Sequence, residues 1–418
     1  MDWKFIKKRL HYAWFVCFGC ALIFFCTCGL SCNVFSVYLP FIMNKYNYTK
    51  TELSLFSTAR TVSQMLSLVV FGRFYKKLTL RKGMTLAALI NISGYFIYGI
   101  SNSFFMFMLG NFFVGFGYGL SNMVPVSMML ERWFYKDRTM AVSMVSAASG
   151  LATIGVPSLI TAIVEKYGLH ASFLIEGTVM LVLILISFLI IRSDPSDKGM
   201  HAFGDSEAVA GSSEKAGQAG KPIITGFNRV LLYIMVLMAG AICGAGWGNM
   251  SLHASTQGYS SSVMALSITV AGAMLMFGKF LFGAMCEKIN IFRSSMFFSF
   301  LIVLGTFLVI LSGKSEWILY LGYGIFGGSL SMVTIGLVSW TEEWACDEER
   351  NNMKKTFQLL YTAGSLGFAL LSGVMADHSG GSYVSTYELL LVFSVLIWFI
   401  VWRTFRLVRK KKEALRLS

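Results

Sequence analysis

Charge is what this sequence has least of. Only 13% of its 418 residues are Asp, Glu, Lys or Arg, about half the share of a soluble domain, while 56% are hydrophobic and the mean hydropathy is +0.65. That excludes an ordinary soluble fold. Acids are scarcer than bases, 21 against 35, and hardly any falls well inside an apolar run. Glu52, Glu165, Glu316, Asp377 and Glu388 lie toward one surface and Glu131, Glu342 and Glu343 toward the other, with Glu176 about one and a half turns into its run. No His/Asp/Glu cluster or nucleophile–base pair stands out within the apolar runs, which argues against an embedded enzyme. Cys17-x-x-Cys20 has no polar partners nearby, so neither a metal nor a cofactor is expected. No small-residue cleavage site follows the first apolar run, itself too long for a signal peptide, so it reads as an uncleaved first span. No strand precedes GFGYG at 115–119, which therefore reads as close helix packing rather than a phosphate loop.

What the sequence does have is apolar runs of membrane-crossing length. Twelve are expected, centred in 14–39, 52–74, 83–101, 104–131, 139–164, 171–191, 229–253, 261–285, 295–312, 317–341, 356–376 and 386–405. With a cytoplasmic N-terminus, 29 Lys and Arg fall on cytoplasmic segments, four outside (Lys45, Lys50, Lys166, Lys314) and two within the membrane, Arg60 and Lys279. The positive-inside rule then predicts that both termini are cytoplasmic. The net charge of +14 is accounted for by juxtamembrane runs such as RKKK at 409–412, which face membrane lipid, so no nucleic-acid partner is expected. At 100° per residue Cys17, Cys20, Cys28 and Cys32 share one face of the first span, where small side chains permit close helix approach.

The Gly-, Ser- and Ala-rich stretch 193–227 reads as a mobile cytoplasmic linker. The expected organisation is a six-helix bundle over 1–192, the linker at 193–227, a second six-helix bundle over 228–408 and a basic cytoplasmic tail at 409–418. Internal matches support a duplication: at an offset of 211 residues Gly72 falls on Gly283, Tyr48 on Tyr259, Glu131 on Glu342 and Trp133 on Trp344.

Two pseudo-symmetric six-helix bundles joined by a cytoplasmic linker resemble the major facilitator superfamily, an all-α membrane fold of twelve transmembrane helices. That family places a G-x-x-x-[DE]-[RK] signature after spans 2 and 8. The second copy here is Gly283-Ala-Met-Cys-Glu287-Lys288, with Arg293 beyond it. The first, starting at Gly72, has Lys76 where the acid belongs, so the resemblance implies a gating latch that rests on Glu287. A narrower resemblance is carried by ERWFYKDRTMAVSMVSAASGLATIGVP at 131–157, TFQLLYTAGSLG at 356–367 and SDPSDKG after span 6. These stretches are similar to the oxalate/formate exchanger and monocarboxylate transporter families. Their F-x-R-x-x-x-G motif reads here as Phe277-Gly-Lys279-Phe-Leu-Phe-Gly283, which implies that Lys279 is the substrate-binding cation of span 8. Lysine lacks the bidentate fork of arginine, so one strong carboxylate contact is expected rather than two. The exchanger's second cation, in span 11, is replaced by Gly364, which argues against oxalate. The aspartate and lysine of the animal monocarboxylate carriers are replaced by Leu275 and Asn33, so their proton relay has no obvious counterpart.

A cation at mid-membrane costs roughly 2.5–3.5 kcal/mol even on lenient scales, so it persists only beside a partner or a wet cavity. For Lys279 the competing reading is snorkelling to the cytoplasmic surface. Arg60 belongs to a stripe of Ser57, Arg60, Gln64 and Ser67 on one face of span 2, which lines a polar path unless Arg60 snorkels or bonds a neighbouring helix's carbonyls. The expected cavity lining adds Asn33, Tyr38, Asn122, Ser149, Trp247, Asn249, Trp340 and Tyr361. His253 is a candidate proton-responsive group, with a capping or loop role as its rival. Span 6 is peripheral in this fold, which argues against Glu176 as a carrier. The expectation is a monomeric secondary transporter in the plasma membrane, a bacterial inner membrane, moving a small organic anion, a monocarboxylate, by exchange or proton symport. The alternatives are efflux of larger amphipathic compounds and, from another class, a non-transporting sensor.

Overall fold

A computed structural model describes residues 11–135, 137–204, 224, 226–344 and 347–417 of the protein. Among them, eleven helices are long and apolar enough to cross a membrane: Tyr12–Tyr46, Lys50–Lys77, Phe104–Trp133, Met140–Tyr167, Leu169–Ile190, Phe227–Trp247, Ser261–Cys286, Ile291–Lys314, Glu316–Leu337, Thr356–His378 and Val384–Lys410. The expected third span is also a helix, Leu80–Gly99, capped by the Thr79 side chain. It dilutes its apolar content with Asn91, Tyr95 and Tyr98, all buried. Spans are numbered one to twelve below with Leu80–Gly99 as the third.

The chain forms two compact units. One comprises Met1–Tyr38 and Ala59–Glu214, the other Leu39–Thr58 and Lys215–Ser418. The stretch 39–58, which the sequence assigns to the first bundle, therefore groups with the second unit. Its anchor is Asp377, whose carboxylate accepts hydrogen bonds from the backbone N–H groups of Lys50 and Thr51 (3.2 and 2.9 Å) and from the Thr51 hydroxyl. The acid thereby satisfies N–H groups that the first turn of the second span leaves unpaired, where the helix dipole favours negative charge.

The first span is not α-helical throughout. Residues Phe25–Val34 form a π-helix and Phe35–Tyr38 a 3₁₀ turn. Side chains follow the wider turn: the Ser31 hydroxyl and the Cys32 thiol each donate to the carbonyl five residues back, on Cys26 and Thr27. The expected common face for Cys17, Cys20, Cys28 and Cys32 assumes 100° per residue, a periodicity that fails beyond Phe24. Cys17, Cys20 and Cys26 are buried, Cys28 and Cys32 half-buried, and none of the five is in a disulfide. The seventh span carries a π segment too, Ile242–Trp247, so both units begin on a helix with the same irregularity.

The duplication is visible in the packing. Gly29 abuts Ser149 and Ala152 of the fifth span; Gly240, its equivalent at the 211-residue offset, abuts Tyr361 and Ser365 of the eleventh. At both crossings the contacted atoms include backbone, so any larger residue would drive two helices apart. Within GFGYG, Gly115 and Gly119 sit against the second span and Gly117 against the third, as the packing reading requires. Trp133 donates to the Arg192 carbonyl (2.9 Å), and the neighbouring Arg132 pairs with Asp194, so the R-W-F part of ERWF holds the chain that follows span 6.

Candidate functional site

In the first unit, side chains of neighbouring spans bond carbonyls of the π segment. Arg60 Nη1 donates to the Ser31 carbonyl (3.1 Å), and the Tyr95 hydroxyl donates to that of Leu30 (3.2 Å). The guanidinium lies 5.4 Å from the centroid of the Phe35 ring. The single Ser31 hydroxyl proton is shared between the Cys26 carbonyl (3.0 Å) and Asn91 Oδ1 (2.7 Å), and the Asn91 amide donates to the Val114 carbonyl (2.8 Å). Of the two roles open to Arg60, the carbonyl bond is the one observed. The stripe around it divides: Ser67 is fully buried with its hydroxyl on the Gln64 carbonyl, while Gln64 itself is half-buried.

Asn33 and Ser149 meet directly, the Asn33 amide donating to the Ser149 carbonyl (3.1 Å) beside the Gly29 crossing. Asn122 is the N-cap of Met123–Trp133, accepting from the Val124 N–H at 2.8 Å where the fourth span breaks. Tyr38 is fully buried, stacked on Phe173 with ring centroids 4.1 Å apart. Its hydroxyl is 2.9 Å from the Ser172 hydroxyl and donates to Glu176 Oε2 at 2.6 Å. The peripheral reading of Glu176 is thus corrected. The buried positions of the sixth span, Leu169, Ser172, Phe173, Glu176, Gly177, Met180 and Ile184, repeat at helical spacing and carry the acid inward. That stripe was the signal in the sequence that could have found it.

In the second unit, Phe277 and Phe280 are exposed, Leu275 and Phe282 are buried, and Lys279 is half-buried between the two sets. Its charge acts on Cys243 of the seventh-span π segment, and Cys243 shares a hydrogen bond with Tyr361 of the eleventh. Spans 7, 8 and 11 thus bring a cation, a thiol and a phenol together. Cys243 was missed by the sequence reading; its only signal is its place between Gly240 and Gly244, both packed on the eleventh span. Gly364, where the exchanger family has its second cation, faces the Leu237 backbone so closely that no side chain fits.

The other expected lining residues of this unit divide. Trp247 is half-buried at the end of the π segment. The Asn249 amide is buried, donating to Ala245 O (2.9 Å) and Ser372 Oγ (2.7 Å). Trp340 is taken up by packing: its indole N–H donates to Ser295 Oγ (2.9 Å) and its ring stacks on Trp344. His253 is neither a loop nor a capping residue but fully buried, with Nδ1 3.0 Å from the Tyr323 hydroxyl. That hydroxyl donates to Met250 O (2.6 Å), so it must accept from the imidazole, which places the proton on Nδ1 and leaves Nε2 without a hydrogen-bond partner among the described residues.

Of the gating residues, Gly72, Lys76, Lys288 and Arg293 are exposed. Gly72 and Gly283 have nothing among the described residues within 4 Å of where a Cβ would stand. The Glu287 side chain lies outside the described residues.

No curated protein sequence matches the chain. Solved structures match its fold. A nucleoside transporter, NupG, superposes with a TM-score of 0.67 at 13% identity, covering 95% of this chain and 99% of its own. A D-xylose-proton symporter gives 0.69 at 13% identity, covering 93% and 96%. A POT family transporter in complex with 5-aminolevulinic acid gives 0.68 at 14% identity, covering 95% and 96%. Identities this low speak for the fold alone. The sequence pattern of the Major Facilitator Superfamily matches residues 20–340, well over half the chain. Together with the helical architecture, this makes the protein a multi-pass membrane transporter of small molecules rather than an enzyme, and the chain belongs to the Major Facilitator Superfamily.

Proposed function

We propose that the protein is a monomeric secondary transporter of a small organic anion, a monocarboxylate, in the plasma membrane with both termini cytoplasmic. The observation that carries this reading is Lys279, a cation in an otherwise apolar span, whose charge reaches Cys243, itself hydrogen-bonded to Tyr361. A carboxylate entering a low-dielectric site loses its hydration, and a half-buried ammonium offsets that cost. The blocked position at Gly364 supports a single-cation site and hence a monoanion. Among the other expected residues, Trp247, Gln64 and Tyr361 are half-buried and remain candidates for the lining, while Arg60, Asn33 and Asn249 serve it by holding the π segments in place. The latch role of Glu287, with Lys288 and Arg293 near it in the sequence, is part of the same proposal.

The test is binding of formate, lactate, pyruvate and larger acids to purified Lys279→Met. Removing one charge-assisted hydrogen bond costs about 1.5–3 kcal/mol, so affinity should fall roughly ten- to hundredfold. Lys279→Arg should keep much of it. Wild-type affinity in folded Lys279→Met would mean that the lysine only snorkels.

A further inference from the structure

Glu176 is the one acid among the described residues that is buried inside a span with no cation paired to it. Its Oε2 is held by Tyr38, and its Oε1 is buried without any hydrogen-bond partner among the described residues. The groups facing it are weak acids in their neutral form. The first span contributes Tyr38 and Cys26, and the third contributes Tyr95. Near the end of the fifth span, Glu165 and Lys166 are exposed. Arg60, the nearest intramembrane cation, is committed to the Ser31 carbonyl instead. An ionised carboxylate left in this setting is costly, whereas a protonated one is not.

The local hydrogen bonds accommodate either form. With Glu176 ionised, Ser172 donates to Tyr38 and Tyr38 donates to the carboxylate. With a proton on Oε2, the acid donates to Tyr38 and Tyr38 donates to Ser172, a reversal that the 2.6 and 2.9 Å separations allow without any atom moving far. The position of this chain of hydrogen bonds gives the reversal a consequence. Tyr38 is the last residue of the first unit's opening segment, and Leu39 already belongs to the second unit. Glu176 therefore holds the side chain of the residue after which the chain passes from one unit to the other.

We propose that the Glu176 carboxyl is the proton-binding site of the transport cycle, and that Tyr38 transmits its charge state to the chain where it crosses between units. The inference rests on the transport reading above and chooses proton coupling over simple exchange. One proton converts carboxylate to carboxylic acid and leaves again as hydronium on the other side; carried with a monoanion, it makes the cycle electroneutral.

Two measurements test it. Infrared difference spectra of purified protein titrated from about pH 5 to about pH 10 should show a carboxyl C=O band that gains and loses its proton and is missing from Glu176→Gln. In proteoliposomes, the ratio of uptake driven by a pH gradient to exchange against internal anion should fall at least about tenfold in Glu176→Gln. Tyr38→Phe should keep the titrating band and lose most of the gradient-driven uptake. A Glu176 carboxyl that does not change protonation over that range overturns the proposal, whatever happens to the anion. So does gradient-driven uptake at the wild-type ratio in both variants. A titrating Glu176 whose protein drives no monocarboxylate but does drive another solute supports the proton site and removes the substrate class.

Discussion

The pocket around Glu176 and the pocket around His253 occupy corresponding places in the two units. Glu176 and Tyr387 are 211 residues apart, each buried on the last span of its unit, each near the π segment that interrupts its unit's first span. In the first unit that position is a carboxyl and the partner across from it is a tyrosine, Tyr38. In the second the position is itself a tyrosine, whose hydroxyl donates to Gly246 O in the π segment at 2.7 Å, and His253 packs edge-on against its ring with centroids 4.7 Å apart. The duplication kept the scaffold and exchanged the chemistry. A carboxyl in contact with neutral donors can be neutralised in place by one proton, and the hydrogen bonds reverse to suit. An imidazole whose Nδ1–H is committed to Tyr323 and whose Nε2 has no hydrogen-bond partner among the described residues has no comparable chain of hydrogen bonds to reverse.

The largest expected effect would break the symmetry on which this comparison stands. Gly29→Leu and Gly240→Leu each force a side chain into backbone of the crossing helix, at a cost on the order of 3 kcal/mol or more. Both should abolish folded protein in size-exclusion profiles of detergent extracts; survival of one would show that the two crossings are not equivalent. A smaller effect is expected from Tyr323→Phe, which strips Met250 O of its donor and His253 Nδ1–H of its acceptor. The loss should be about 2 kcal/mol, read as earlier thermal unfolding, with the pH profile of transport unchanged. The smallest concerns pH alone: His253→Gln should leave the dependence of transport on pH between about 6 and about 8 as in the wild type, while Glu176→Gln flattens it. A profile that flattens with His253→Gln and not with Glu176→Gln would move the proton site to the second unit.

The long spans, their division into two related halves and the membership of the superfamily were legible in the sequence, because lipid imposes a length and an apolar composition that no tertiary context can override. Lys279 and Arg60 were legible for the same reason, since a cation in such a run is conspicuous. What the sequence could not decide is what each polar group touches. Arg60 turns to a carbonyl in the π segment of a neighbouring span, and Trp340 finds Ser295 instead of a cavity. The 100° periodicity that places side chains on faces lapses at Phe25, so every assignment of a face beyond it in the first span depended on a backbone irregularity with no residue signature of its own. Glu176 looked peripheral because its span is; the tertiary structure turns its one polar stripe inward, against the hydroxyl of a residue 138 positions away. Composition determines that this chain lives in a membrane, whereas hydrogen-bond partners are set by which helices meet, and that is a property of packing.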